Sequence, residues 1–126
     1  MLYDILLKTL IQNFIRSNNM LDFNKYQIET RKTKIYSDDI IYPSLGLSGE
    51  VGELMNQIKK IYRDDNGKIS MVRKTDLKKE IGDVLWYLAR VADDLDIDLT
   101  EAVEINLDKL SSRMDRGKIG GSGDNR

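Results

Sequence analysis

A single proline in 126 residues, set among apolar side chains that recur every three or four positions, constrains this chain to an all-α fold. A first helix is expected over residues 2–16, ended by Ser17-Asn18-Asn19, and a second from about Asp22 to Tyr36. Pro43 suits the first residue of a third helix, over 43–62. The polar stretch from Arg63 to Lys74 holds Asn66-Gly67 and reads as a loop. Thr75 is placed as the N-cap of a fourth helix that runs to about Asp94, with Asp76 in its first turn. Asp98 and Glu101 form a capping box for a fifth, ending near Met114. The tail from Gly117 to Arg126 carries four glycines and no core residue beyond Ile119.

The length fits one domain with a modest core, at residues 20–116, flanked by an N-terminal extension (1–19) and the glycine-rich tail (117–126). Leu2, Ile5, Leu6, Leu10, Ile11, Phe14 and Ile15 make the extension amphipathic. Asp4 and Lys8 interrupt it, and it is too short to span a bilayer. No small-residue cleavage site follows, so a cytoplasmic protein without membrane attachment is expected; Met20 is an alternative start.

Composition narrows the chemistry further. A net charge of −1 argues against a general nucleic-acid binder. The absence of cysteine removes disulfides, zinc–thiolate sites and thiol nucleophiles. The absence of histidine removes the commonest general base and transition-metal ligand. Catalysis must then rest on carboxylates, amines, hydroxyls and a hard metal ion.

Two acidic pairs meet that requirement. Glu50 and Glu53 are spaced i, i+3, as are Glu80 and Asp83, so each pair lies on one helix face. Beside the apolar stripe Leu47, Val51, Leu54, Ile58 and Ile61, Glu50 and Glu53 occupy one flank. Glu80 and Asp83 take the same flank of Leu77, Ile81, Val84, Leu88 and Leu95, about 60–140° from the stripe. Along Val103, Leu107, Leu110 and Met114 the corresponding flank carries Asn106, Lys109 and Arg113. Each acidic pair encloses a glycine, Gly52 or Gly82, which costs about 1 kcal/mol in a helix interior and points to close helix approach. Solvated faces account for single pairs of this kind. Two pairs at matching offsets fit convergence on Mg²⁺ or Mn²⁺, and a carboxylate-held cation usually handles phosphates.

Other acidic segments do not form calcium loops. With Gly67 at the obligatory glycine, Tyr62 and Arg73 fall on ligand positions; a loop starting at Asp94 puts Leu99 and Ile105 there. No Walker-type phosphate loop is present. Trp86 points away from its own apolar stripe, toward either a packed helix or a subunit interface. Tyr26, Tyr36, Tyr42 and Tyr87 are candidates for stacking on a base or for ordinary packing.

The segment Leu45-Gly46-Leu47-Ser48-Gly49-Glu50-Val51-Gly52-Glu53, followed by Lys79-Glu80-Ile81-Gly82-Asp83-Val84-Leu85-Trp86-Tyr87, resembles the MazG-like nucleotide pyrophosphohydrolases. Their signature is E-x-x-E, a spacer, then E-x-x-D; here the spacer runs from Leu54 to Lys79. Asn106-Leu107-Asp108-Lys109-Leu110 with Arg113, the opening Phe23-Asn24-Lys25-Tyr26-Gln27 and the close Gly120-Gly121-Ser122-Gly123-Asp124-Asn125-Arg126 extend the likeness over residues 20–126. The resemblance implies a four-helix-bundle-like core of the all-α NTP pyrophosphatase type, here with an extra N-terminal helix, assembled as a homodimer or homotetramer. It implies Mg²⁺- or Mn²⁺-dependent hydrolysis of a nucleoside triphosphate, usually a deoxynucleotide, to monophosphate and pyrophosphate. Glu50, Glu53, Glu80 and Asp83 would be metal ligands, with one of them activating water. Lys109 and Arg113 would contact phosphate and Asn106 phosphate or sugar, under a tail supplying Asp124, Asn125 and Arg126. Two other readings stand beside this one. One is a dUTPase or phosphoribosyl-ATP pyrophosphohydrolase relative; the other is a non-catalytic helical protein that senses nucleotides or binds a partner.

Overall fold

In the computed structural model, residues 6, 7, 9, 10, 20–37 and 40–126 are described. Asp22 starts the first helix, α1 (Phe23–Thr30), by accepting the Lys25 backbone N–H at 2.7 Å. A 3₁₀ turn over Arg31–Thr33 ends it, short of the expected Tyr36. The reason is a change of direction: Lys34 is extended, which sends its side chain and that of Tyr36 to Asp94. Helix α2 (Ile41–Asp65) begins two residues before Pro43. A proline fits there because the first four helical N–H groups have no intrahelical acceptor in any case. At the other end Asn66 adopts φ 53° and Gly67 φ 75°, and the Gly67 N–H returns to the Ile61 carbonyl.

The loop expected from Arg63 to Lys74 is only Asn66–Ser70. Ser70, not Thr75, caps α3 (Met71–Asp94) by accepting from the Arg73 N–H. Thr75 lies inside that helix, its hydroxyl donating to the Met71 carbonyl. Arg73 pairs with Asp65 at 2.6 Å, clamping the turn between α2 and α3. Asp98 caps α4 (Leu99–Asp115) by accepting from the Glu101 N–H at 2.9 Å, as the capping box predicts. The described residues form helices and no strand, and none of the helices is long and apolar enough to cross a membrane. Leu6, Leu7, Thr9 and Leu10 are helical; the rest of the expected N-terminal helix lies outside the described residues.

Helices α2 and α3 pair along their length and run antiparallel, because so short a turn allows nothing else. A methyl group at Gly46 would overlap the Tyr87 ring, so that ring packs directly on the α2 backbone there. Gly52 and Gly82 have nothing within 4 Å of a Cβ position, so close approach does not explain them. The small core lies where α1 and the start of α4 meet α3: Ala89, Ala92 and Leu99, with Tyr26 against them. Beside it runs a buried polar network. The Gln27 amide donates to Ile97 O and Asp93 and accepts the Leu99 N–H, joining three elements. Arg90 is fully buried and pairs with Asp93, which Arg31 also holds at 2.7 Å. Trp86 reaches this side of the molecule, donating to the Thr33 hydroxyl at 2.8 Å. Tyr36 stacks on Tyr42 with ring centroids 4.7 Å apart.

Among the described residues, the apolar stripes are only partly covered. Val51, Ile58, Ile81, Leu88, Leu107 and Met114 all remain exposed, Leu107 by 60%. Isolated exposed leucines are ordinary, but stripes on three helices together form a broad apolar surface.

Two predictions follow from the packing. Asp93 is held below the usual carboxylate range, first by the hydrogen bond from Arg31 and against its own burial. Its contribution to stability is therefore present above about pH 4 and lost as pH falls through the depressed folded value. Asp93→Asn should cost about 3 kcal/mol at neutral pH, because it strands Arg90. The gap from the natural protein should close below about pH 4 in denaturant unfolding. Separately, Gly46→Ala should destabilise by about 1–3 kcal/mol through overlap with Tyr87. Gly52→Ala and Gly82→Ala should each stabilise by about 1 kcal/mol, from helix propensity alone.

Candidate metal centre

The antiparallel pairing of α2 and α3 decides which acids meet. Gly46 and Glu50 are one turn apart on α2, and Asp83 and Tyr87 are one turn apart on α3. Contact of Gly46 with Tyr87 thus brings Glu50 level with Asp83, one turn further along the seam. The same register carries Glu80 toward Glu53. Carboxylate oxygens of Glu50, Glu80 and Asp83 lie within 4.8 Å of one another; Glu50 and Glu80 are half-buried and Asp83 is exposed. Glu53 is exposed and outside that group.

The electrostatics show what the arrangement lacks. The Glu50 carboxyl is pushed up, chiefly by burial and then by the charges of Asp83, Glu80 and Glu53. Burial, and then the Asp83 charge, raise the Tyr26 phenol. Burial raises Tyr87 as well, followed by Tyr42, Glu50 and Asp83. Among the described residues, neither lysine nor arginine forms a salt bridge with Glu50, Glu80 or Asp83. Three carboxylate oxygens this close need only side-chain adjustment to reach one ion that binds oxygen at about 2.1 Å. An all-oxygen, all-anionic donor set suits a hard divalent cation and not a soft one. The residues present therefore fit Mg²⁺ or Mn²⁺.

A second constellation forms at the end of α4. Lys109 and Arg113, one turn apart, both bind Asp124 of the tail, whose Oδ1 is 3.2 Å from each cation. Arg113 is buried, and its Nη2 also donates to the carbonyls of Gly123 and Asp124. Arg126 folds back onto the tail, donating to the Lys118, Ile119 and Gly123 carbonyls. Arg116 donates to the main-chain oxygen of Arg126. Asn106 and Asn125 are exposed. So Lys109, Arg113 and Asp124 come together as one cluster and the three acids as another.

Gly46, Tyr87 as its packing partner, and the buried Arg90 are not evident from the acidic motifs. For Arg90 the available signal was its i, i+3 relation to Asp93. For Gly46 the sequence offers only a glycine inside a helix, and the contact with Tyr87 appears in the fold.

Residues 44–117 match the MazG nucleotide pyrophosphohydrolase domain. That span contains both acidic pairs as well as Asn106, Lys109 and Arg113; the end of the tail lies beyond it. The chain is 46% identical over 109 residues to the Gene 37 protein of Mycobacterium phage L5, covering 80% of this chain and 96% of that protein. No solved structure gives a significant match. With two acidic helix faces brought together inside the matched segment, this chain belongs to the MazG nucleotide pyrophosphohydrolase family.

Proposed function

We propose that this protein hydrolyses a nucleoside triphosphate, with deoxynucleotides as the expected substrates, to the monophosphate and pyrophosphate, using Mg²⁺ or Mn²⁺. The observation that carries the reading is the convergence of Glu50, Glu80 and Asp83 oxygens within 4.8 Å without a compensating cation among the described residues. Those three residues would hold the ion. Bound there, it would supply neutralisation of phosphate charge and a more acidic water at neutral pH.

The chain's own residues account for the remaining requirements. Hydrolysis at the α-phosphorus forms a bond from water oxygen to phosphorus and breaks the bond to the bridging oxygen, so pyrophosphate leaves in line. The water proton needs an acceptor, and histidine is absent. Glu53 lies one turn from Glu50 and outside the three-carboxylate group, and we assign it that role. The leaving pyrophosphate needs cations, which Lys109 and Arg113 provide as an i, i+4 pair. To Asn106, exposed on the same helix, we assign a contact with phosphate or sugar. Tail residues Asp124, Asn125 and Arg126 control access to the cation pair. The activity is assigned to the cytoplasm, where its substrates are.

The uncovered stripes carry a proposal about assembly. A second copy of the chain covering them would turn the half-open bundle into a closed one, as a homodimer or homotetramer. Sedimentation equilibrium tests this, since a monomer at micromolar concentration contradicts it.

The reaction is tested by product analysis on a panel of dNTPs and NTPs with Mg²⁺ or Mn²⁺. Monophosphate and pyrophosphate should form in equal amounts and stop with EDTA. Glu53→Gln should lose about 10²–10⁴-fold in kcat yet keep the rise in Tm that Mn²⁺ produces. Glu80→Gln should lose both. Release of orthophosphate, or turnover that survives EDTA, would contradict the assignment.

A further inference from the structure

The contact between the tail and α4 has an unusual balance. Two cations, Lys109 and Arg113, face one carboxylate, Asp124. The Arg113 side chain is only 5% exposed, whereas that of Asp124 is 84% exposed. Asp124 meets both cations through the same oxygen, Oδ1. Arg113 Nη2 carries all of the contacts to the tail, while its Nε is buried without a hydrogen-bond partner. A guanidinium edge of this kind is built for two oxygens side by side. Asp124 supplies one, and the buried donor next to it is left unmade, which is costly.

The tail is shaped to deliver that carboxylate. Gly121 and Gly123 adopt φ 97° and φ 85°, conformations that other residues rarely take. Arg126 staples the loop from the far side through its bonds to the Lys118 and Ile119 carbonyls. The loop is thereby closed on itself, and Asp124 is the side chain it presents to the two cations.

From this geometry we propose that Asp124 is an internal stand-in for a phosphate group: it occupies the Lys109–Arg113 pair in the ligand-free chain and yields it to pyrophosphate or the polyphosphate of a nucleotide. The proposal rests on the reading of Lys109 and Arg113 as phosphate-binding and adds that the tail competes for them. A pyrophosphate group brings more charge and enough oxygens to reach Lys109, Nη2 and the unpartnered Nε together. Asp124, exposed and offering one carboxylate oxygen to the two cations, is a weak competitor and leaves readily. The tail then acts as a latch that keeps weakly charged anions off the cations and admits polyphosphates.

The test is calorimetric binding of inorganic pyrophosphate to the full chain in EDTA, with neither nucleotide nor turnover involved. Asp124→Asn should bind pyrophosphate about fivefold more tightly than the natural protein, because the competing charge is gone. Lys109→Gln, an exchange at a half-exposed position that leaves the core intact, should weaken binding in both backgrounds. Equal or weaker binding by Asp124→Asn would overturn the latch: equal affinity means no competition, and weaker affinity means that Asp124 helps to hold the ligand. Failure of the folded natural protein and of Asp124→Asn to bind pyrophosphate would overturn the oxyanion site itself. Because the readout is binding alone, an absence of nucleotide turnover would count against the proposed reaction and leave this result standing.

Discussion

The antiparallel pairing of α2 and α3 is the constraint on which the rest of the structure turns. Two long helices joined by a five-residue turn have little choice but to pair antiparallel, and pairing them in this register places Glu50 against Asp83 and Glu80. The register is held from both ends, by the Arg73–Asp65 pair at the turn and by the fit of Tyr87 over Gly46. Burial, and then the charges of Asp83, Glu80 and Glu53, lift the Glu50 carboxyl. A divalent cation bound there would offset that charge.

The remaining elements are arranged around that seam by polar contacts more than by apolar burial. Helix α1 and the start of α4 dock on the C-terminal half of α3 through Gln27, Arg90, Arg31 and the Asp93–Asp94 pair. The fully apolar part of this junction is small, and two of its members are alanines, which let the helices approach closely. The stripes on α2, α3 and α4 keep exposed residues such as Val51, Ile81 and Leu107. The tail is held by charge as well: Asp124 lies on the Lys109–Arg113 pair and Arg126 on the tail's own carbonyls. The cation pair and the three carboxylates thus lie on separate helices.

Much of this is legible in the amino-acid sequence, and the exceptions have physical causes. The matched flanks of Glu50–Glu53 and Glu80–Asp83 follow from helical periodicity, which fixes side-chain direction; Glu50, Glu80 and Asp83 come together, whereas Glu53 lies outside the group. The Asp98–Glu101 pattern locates the start of α4 because a capping side chain acts within three residues. Local signals fail where two residues compete for one role. Ser70 and Thr75 are both plausible caps, and Ser70 prevails because α2 continues to Asp65 and shortens the loop from the other side. The glycines show a different limit. Gly52 and Gly82 attract notice because they sit inside the acidic motifs, yet the crowded position is Gly46, and only the partner helix reveals it. Arg90 shows only part of its environment in the sequence: the i, i+3 spacing points to Asp93, while the network shared with α1 comes from tertiary packing.

The central claim is that Glu50, Glu80 and Asp83 form one divalent-cation site in the absence of nucleotide. Titration of Mn²⁺ into the nucleotide-free protein, followed by calorimetry, tests it most directly. Saturable binding should be seen in the natural protein and be lost in Glu80→Gln and in Asp83→Asn, with each variant still folded. Binding that is unchanged in both variants, or no binding by the folded natural protein, would contradict the account.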